Sequence, residues 1–415
     1  NGFYYHTIKE LNTIIAMNED PEQNQLPNVA AFCTSNANQI AAAKTLRAYY
    51  MMSISDILGA VPYTEAWKGD EDVWQPKYDS QEDIYKMMDA ELCEAYNLFD
   101  EKAPLNSTYE ILYKGDIAKW KKFNATLRMM MAIKMAEVDP ANGKARFAKA
   151  FADGGMTDVK DSFCYTMDTK QGADYSLYHQ GTYYNTPVLR WGPNAVIVEM
   201  LKEYNDPRMF EYFTLDGYVG KVEGDPKDVK SYKGVYYGLE SNAAVDEAKK
   251  GACSIADKYM IQESTYGVIT TARCLLVEAE AAKLGWISAS AEDLYYKGIK
   301  ASFDFEGAEG YDEYIASDKV KFNGTLEQIV TQRYLAGFMT DGIEAWSDWR
   351  RYNIPTLPIM EGQAIEGITV YPYRMEYYND DYNYNGEQVK KAVDTYLGGK
   401  DSRWSRVWWD VKDNI

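Results

Sequence analysis

Histidine is nearly missing from this chain: its 415 residues include two, His6 and His179. A three-histidine zinc centre is therefore excluded, and a Ser-His-Asp triad would have to be built on one of that pair. His179 stands alone in YHQG and reads as a surface or hydrogen-bonding residue. There is no G-x-S-x-G elbow, no P-loop and no G-x-G-x-x-G turn, which removes the common nucleophile, triphosphate and dinucleotide devices. Basic charge is short as well, since 44 Lys and Arg against 63 Asp and Glu leave a net charge of −19. Without a basic stripe, no nucleic-acid or anionic-membrane surface is expected, and a neutral or cationic ligand is easier to accommodate. The five cysteines (Cys33, Cys93, Cys164, Cys253, Cys274) are odd in number, widely spaced and free of any C-x-x-C pair. They signal neither a disulfide framework nor a zinc cage and read as packed thiols. No run of about 18 apolar residues exists, so no segment reads as a membrane-spanning helix.

Carboxylates are abundant, which keeps two-acid glycoside hydrolysis formally open. Abundance is not pairing. Glu278 and Glu280, in VEAEA, are two residues apart and point to different helix faces, so one is expected exposed and one hydrogen-bonded inside the packing. Asp380 and Asp381, beside Asn379 and Asn383, offer oxygen ligands to a hard cation, yet the glycine and closing glutamate of an EF-hand loop are missing. No catalytic residue, metal site or cofactor is assigned.

What the sequence has in quantity is helical periodicity. In YKGDIAKWKKFNATLRMMMAIKMAEVDP, Asp116 is placed to cap a helix. Trp120, Phe123, Leu127 and Met130 then recur at three- and four-residue steps, and Asp139-Pro140 reads as the stop. Residues 36–58 carry Ile40, Ala43, Leu46, Tyr50, Ile54 and Ile57 on one side and are closed by Gly59. Ser80 and Asp83 approximate a capping box for the next helix, and Thr325 and Gln328 repeat that spacing. Three stretches follow: helical from residue 1 to 152, rich in Gly and Tyr from 153 to 269, and helical with loops from 270 to 415. The middle stretch reads as loop with short strands around one helix at 195–204, and its aromatic content argues against disorder. Residues 371–385 read as a tyrosine-rich turn before a short helix at 387–396.

Several blocks resemble one family. The segment just quoted, AAAKTLRAYYMMSISDILGAVPYTEAW (41–67), PKYDSQEDIYKMMDAELCEAYNLF (76–99), the NDPR at 205–208, LLVEAEAAKLGW (275–286), QIVTQRYLAGFMTDGIEAWSDWRRYNIPTL (328–357) and DSRWSRVWWD (401–410) are similar, in order, to hallmarks of the SusD/RagB-type nutrient-binding lipoproteins of the Bacteroidetes outer membrane. One departure is RMEYYNDDYNYN, where Tyr378 stands for the usual proline and Asp381 for the usual glutamate. The resemblance implies a mostly α chain of one SusD-like domain, a tetratricopeptide-like helical-repeat scaffold with a large irregular, loop-rich lobe. It implies a cell-surface protein without enzymatic activity, held by a lipid anchor upstream of this chain. Such a protein binds a glycan or other nutrient and delivers it to a SusC-like TonB-dependent transporter. Two rivals are a helical (α/α) glycoside hydrolase, which would not be interrupted by the central lobe, and a helical-repeat interaction scaffold, which would not need tryptophans in surface loops.

Aromatics mark the candidate site. Ten Trp, 36 Tyr and 13 Phe exceed what a helical core of this size needs. Trp120, Trp346 and Trp349 fall on periodic faces and read as core, whereas Trp67 and Trp74 bracket a charged loop, AWKGDEDVWQPKY, with no periodic face to join. Flat rings bury the C–H face of a sugar while polar neighbours such as Asp70 and Gln75 bond its hydroxyls. Both rings anchoring the loop is the alternative. Tyr183, Tyr184 and Trp191, in the central lobe, form the second candidate set.

Overall fold

A computed structural model describes residues 6–29, 34–167, 191–217, 220–340, 342–359 and 371–411. The chain divides into two compact units, Asn1–Met156 with Tyr371–Ile415, and Thr157–Val370. Helices outweigh strands in both, and sequential helices pack on one another as hairpins in tetratricopeptide-like fashion.

In the first unit Asn36–Leu58 packs on Gln81–Leu98, and Ile117–Lys134 packs on Pro140–Asp153. The caps follow from the side chains: Ser35, Ser80, Asp116 and Asp139 each accept a hydrogen bond from a backbone N–H in the first turn of the helix that follows. Asp139-Pro140 thus opens a helix instead of ending one, because a proline at the first helical position has no N–H to lose. Trp120 is fully buried as its period requires, edge-on to Tyr113 and stacked beside Phe99. Among the polar core residues, Asp56 accepts from Lys134 Nζ at 2.6 Å and from Trp409 Nε1 at 2.8 Å. One buried carboxylate thereby joins the first hairpin, the second hairpin and the C-terminal segment; its charge is met by a cation and two further donors, from Tyr85 and Gln81.

The second unit is built on Thr271–Lys283, which packs on Ala291–Glu306 and on Leu326–Ala336. Gly298 permits the first contact, since a Cβ there would sit 2.6 Å from Leu276 Cγ. Phe163–Thr166 pairs antiparallel with Thr265–Ile269, so the lobe's two ends are stitched together, and two-residue ladders join Phe213–Thr214 to Ser254–Ile255 and Asp216–Gly217 to Gly220–Lys221. Glu278 and Glu280 are both buried, so the expectation that one is exposed fails. Glu280 accepts from Arg333 at 2.7 Å and Arg351 at 2.6 Å, and Arg333 also forks onto Asp348 through two bonds of 2.8 Å. Among the described residues Glu278 forms no ion pair; Cys274 Sγ lies 3.6 Å away, and burial pushes the Glu278 carboxyl up to about 7 against the smaller opposing pull of Cys274 and Lys297.

Candidate functional site

The loop from Pro62 to Tyr78 joins the two helices of the first hairpin through a tight root. Val61 and Asp79 form an antiparallel bridge, and the Asp79 carboxylate accepts from the backbone N–H of Tyr63 at 3.0 Å and of Thr64 at 2.7 Å. Higher up, Lys77 N–H donates to Glu65 at 2.9 Å. The loop then turns through Gly69–Glu71, and Trp67 and Asp72 both hold φ near +60°. A bulky residue in the left-handed region costs on the order of 1–3 kcal/mol and persists only where the surroundings over-determine it. At Trp67 that conformation sets a half-buried ring into the wall of a groove. The Trp74 ring lies over Gly69, where a Cβ would stand 3.5 Å from it, and is 74% exposed.

The opposite wall comes from the other end of the chain. Much of the segment read as a turn is helical: Asn379–Tyr396 is helical on both sides of a kink at Asn385 (φ −140°, ψ 32°). Its start is fixed by Asp381, whose carboxylate accepts from the Tyr378 N–H at 3.0 Å. So the aspartate that stands for the family's usual glutamate serves as a helix cap. The break is tied to the loop, because Asn385 Nδ2 donates to Pro76 O at 2.8 Å and Gln75 Nε2 reaches Tyr384 O at 3.4 Å. Below, Tyr78 meets Tyr377 edge-on at 5.3 Å, and Tyr377 donates to Ala60 O at 2.7 Å.

Between these walls lies a groove of about 470 Å³. Five aromatic side chains line it: Trp67, Trp74, Tyr78, Tyr378 and Tyr384. Trp74 and Tyr384 are three-quarters exposed, so two large rings present their faces at the surface. The charged members of the lining are Lys68, Asp380 and Asp381. Burial pushes the Asp381 carboxyl up; the Tyr378 N–H opposes this, and the nearby carboxylates Asp380 and Asp401 add to the rise. Rings for stacking and side chains for hydrogen bonding therefore converge, which suits binding. No histidine lines the groove, and no cluster of His, Cys, Asp or Glu fit to hold a metal occurs among the described residues. A second recess, of about 420 Å³ beside Leu11, Ile14 and Tyr109, is largely apolar. The carboxylate on its edge, Glu110, is spent on the N–H groups of Leu112, Tyr113 and Gly115.

Of the residues singled out in the sequence, Trp67 and Trp74 line the groove together. Asp70 lies in the exposed turn between them but outside the lining, and Gln75 directs its amide to Tyr384. Trp191, 49% exposed, belongs to the second unit. Tyr183 and Tyr184 lie outside the described residues, as does His179. Sequence reasoning missed Tyr378, Tyr384 and Asn385. The signal was available in YYNDDYNYN, whose tyrosines have no periodic apolar face to join, the same argument that picked out Trp67 and Trp74.

Residues 1–378 match the family model SusD-like_2, described as starch-binding and associating with the outer membrane. No curated protein sequence matches the chain significantly. Among solved structures, a SusD homolog from Bacteroides uniformis is 24% identical with a TM-score of 0.81, over 98% of this chain and 85% of that one. A SusD homolog from Bacteroides fragilis is 22% identical with a TM-score of 0.80, over 98% and 89%. A chitin-binding SusD homolog from Flavobacterium johnsoniae is 25% identical with a TM-score of 0.79, over 100% and 86%.

Proposed function

The chain belongs to the SusD-like family, and from that premise we propose that the groove between Trp74 and Tyr384 captures a glycan at the outer-membrane surface for a SusC-like TonB-dependent transporter. The observation that carries this reading is five aromatic side chains brought to one open groove from chain segments about 300 residues apart, with two rings left largely bare. A sugar chain covers such rings with its C–H faces and bonds to the polar side chains between them. The chitin-binding homolog favours a chain of hexosamines as the first ligand to try. No helix among the described residues is long and apolar enough to cross a membrane.

Calorimetric titration with starch, chitin, cellulose, mannan and peptide fragments tests the ligand class. Binding of at least one glycan, lost in Trp74→Ala, supports the reading. A peptide bound in preference to every glycan overturns it. For the partner, pull-down in mild detergent from native membranes is expected to bring down a large β-barrel protein, and recovery of no membrane protein counts against delivery.

A further inference from the structure

The charges around the groove are mostly of one sign. Asp380 and Asp381 line it, and among the described residues no cationic side chain forms an ion pair with either. The basic member of the lining, Lys68, has its Nζ 3.7 Å from Glu71 Oε2 and so already has a counter-charge. Asp70, Glu71 and Asp72 stand exposed on the loop beside it. One polar demand is unmet as well. Asn385, 9% exposed, spends its Nδ2 on Pro76 O, while its Oδ1 accepts no hydrogen bond among the described residues. A buried acceptor without a protein donor is costly, and a ligand that brings an N–H or O–H group to this wall can satisfy it.

These features rank ligand chemistries. A uronate or sulfated chain meets two unneutralised carboxylates and is repelled. A neutral chain stacks on the rings and offers its hydroxyls to the carboxylates, but brings them no counter-charge. An ammonium group supplies a counter-charge to Asp380, N–H donors to acceptors along the wall, and a cation for the faces of Trp74 and Tyr384. A lysine-rich peptide carries the charge but lacks the flat C–H face that the rings bury. We infer that the groove selects chains of free-amine hexosamines, such as protonated glucosamine units, over N-acetylated and acid-bearing sugars. The inference rests on the reading of the groove as a glycan site and deepens it.

Titration calorimetry at mildly acidic pH and low salt tests it, with hexamers of glucosamine, of N-acetylglucosamine and of galacturonate, and with hexalysine. The glucosamine hexamer is expected to bind about tenfold tighter than its acetylated counterpart, the sum of a cation–π contact and an exposed charge pair. That ratio should shrink in about 1 M salt, where the screening length falls to about 3 Å, and again in Asp380→Asn. Trp74→Ala should weaken both sugar hexamers. Equal or tighter binding of the acetylated hexamer overturns the inference while leaving a glycan site in place. Hexalysine bound as tightly as the glucosamine hexamer overturns the sugar class. Binding of none of the sugars brings down the glycan reading of this groove, and the inference with it.

Discussion

Trp120 and Trp74 belong to the same helical unit and are used in opposite ways. Trp120 is 1% exposed, wrapped by Phe99, Tyr113 and Phe123 on a helix whose apolar steps all point inward. Trp74 is 74% exposed, in a loop held at its root by backbone bonds to a carboxylate. The difference shows what positions a large ring in this fold. Where the chain repeats every three or four residues, the ring goes to the core. Trp74 has no such period to join, and its ring stays bare at the surface.

The sharpest way to break the contrast is Trp120→Ala. An emptied site in that packing should cost about 3–5 kcal/mol of stability in denaturant unfolding. A loss of less than about 0.5 kcal/mol, the range of surface substitutions, would falsify the core assignment.

A second test concerns the rule that interior charge must be matched. Asp56 has Lys134, whereas Glu278 faces Cys274 and forms no ion pair among the described residues. Burial raises the Glu278 carboxyl to about 7, from about 4.3 in an unfolded chain. The folded state therefore keeps a proton that the unfolded state releases. This contribution is complete below the unfolded value and disappears as pH rises through about 7. Glu278→Gln is neutral at every pH, so it should gain on the order of 3 kcal/mol over the parent near pH 9 and almost nothing near pH 4. Unfolding curves of the two proteins running parallel across that window would mean Glu278 is solvated.

On the bare side of the contrast, Trp74→Ala should weaken sugar binding by about 1–3 kcal/mol, taking base stacking as the guide, with the melting temperature held. An unchanged affinity with a lowered melting temperature would turn this ring into a loop anchor and erase the difference from Trp120. The smallest effect is expected at Gln75, whose amide makes one long, exposed bond to Tyr384 O. Gln75→Ala should shift stability and affinity by less than about 0.5 kcal/mol each. A loss of affinity above about 1 kcal/mol would put that amide on the ligand.

The helical scaffold was legible because caps and periods are local. Ser80, Asp116 and Thr325 each cap the helix they precede, and Gly59 closes the first long one. Half of the site was legible for the opposite reason, since Trp67 and Trp74 failed to fit any period. The other half was hidden by chain separation. Nothing near Pro76 announces that its carbonyl will accept from Asn385, 309 residues away. Asn, Asp and Tyr are weak helix formers, so residues 379–385 read as a turn, yet packing of Tyr377 on Tyr78 and the Asp381 cap draw them into a helix. Asp139-Pro140 misled because a proline ends one helix and begins the next equally well.

The root of the Pro62–Tyr78 loop has a further consequence. The Val61–Asp79 bridge, the Asp79 carboxylate and the Tyr63 hydroxyl, which donates to Glu91, hold it at the base, and Gln75 and Asn385 donate the polar bonds to the far wall. A segment whose ends are held this way can behave as a cassette. Its interior can lengthen, shorten or change its rings while Val61, Asp79 and the hairpins beneath keep their places. Diversification of ligand choice on this scaffold then requires no redesign of the fold, and a transplant of residues 62–78 between relatives is the unit in which specificity would be exchanged.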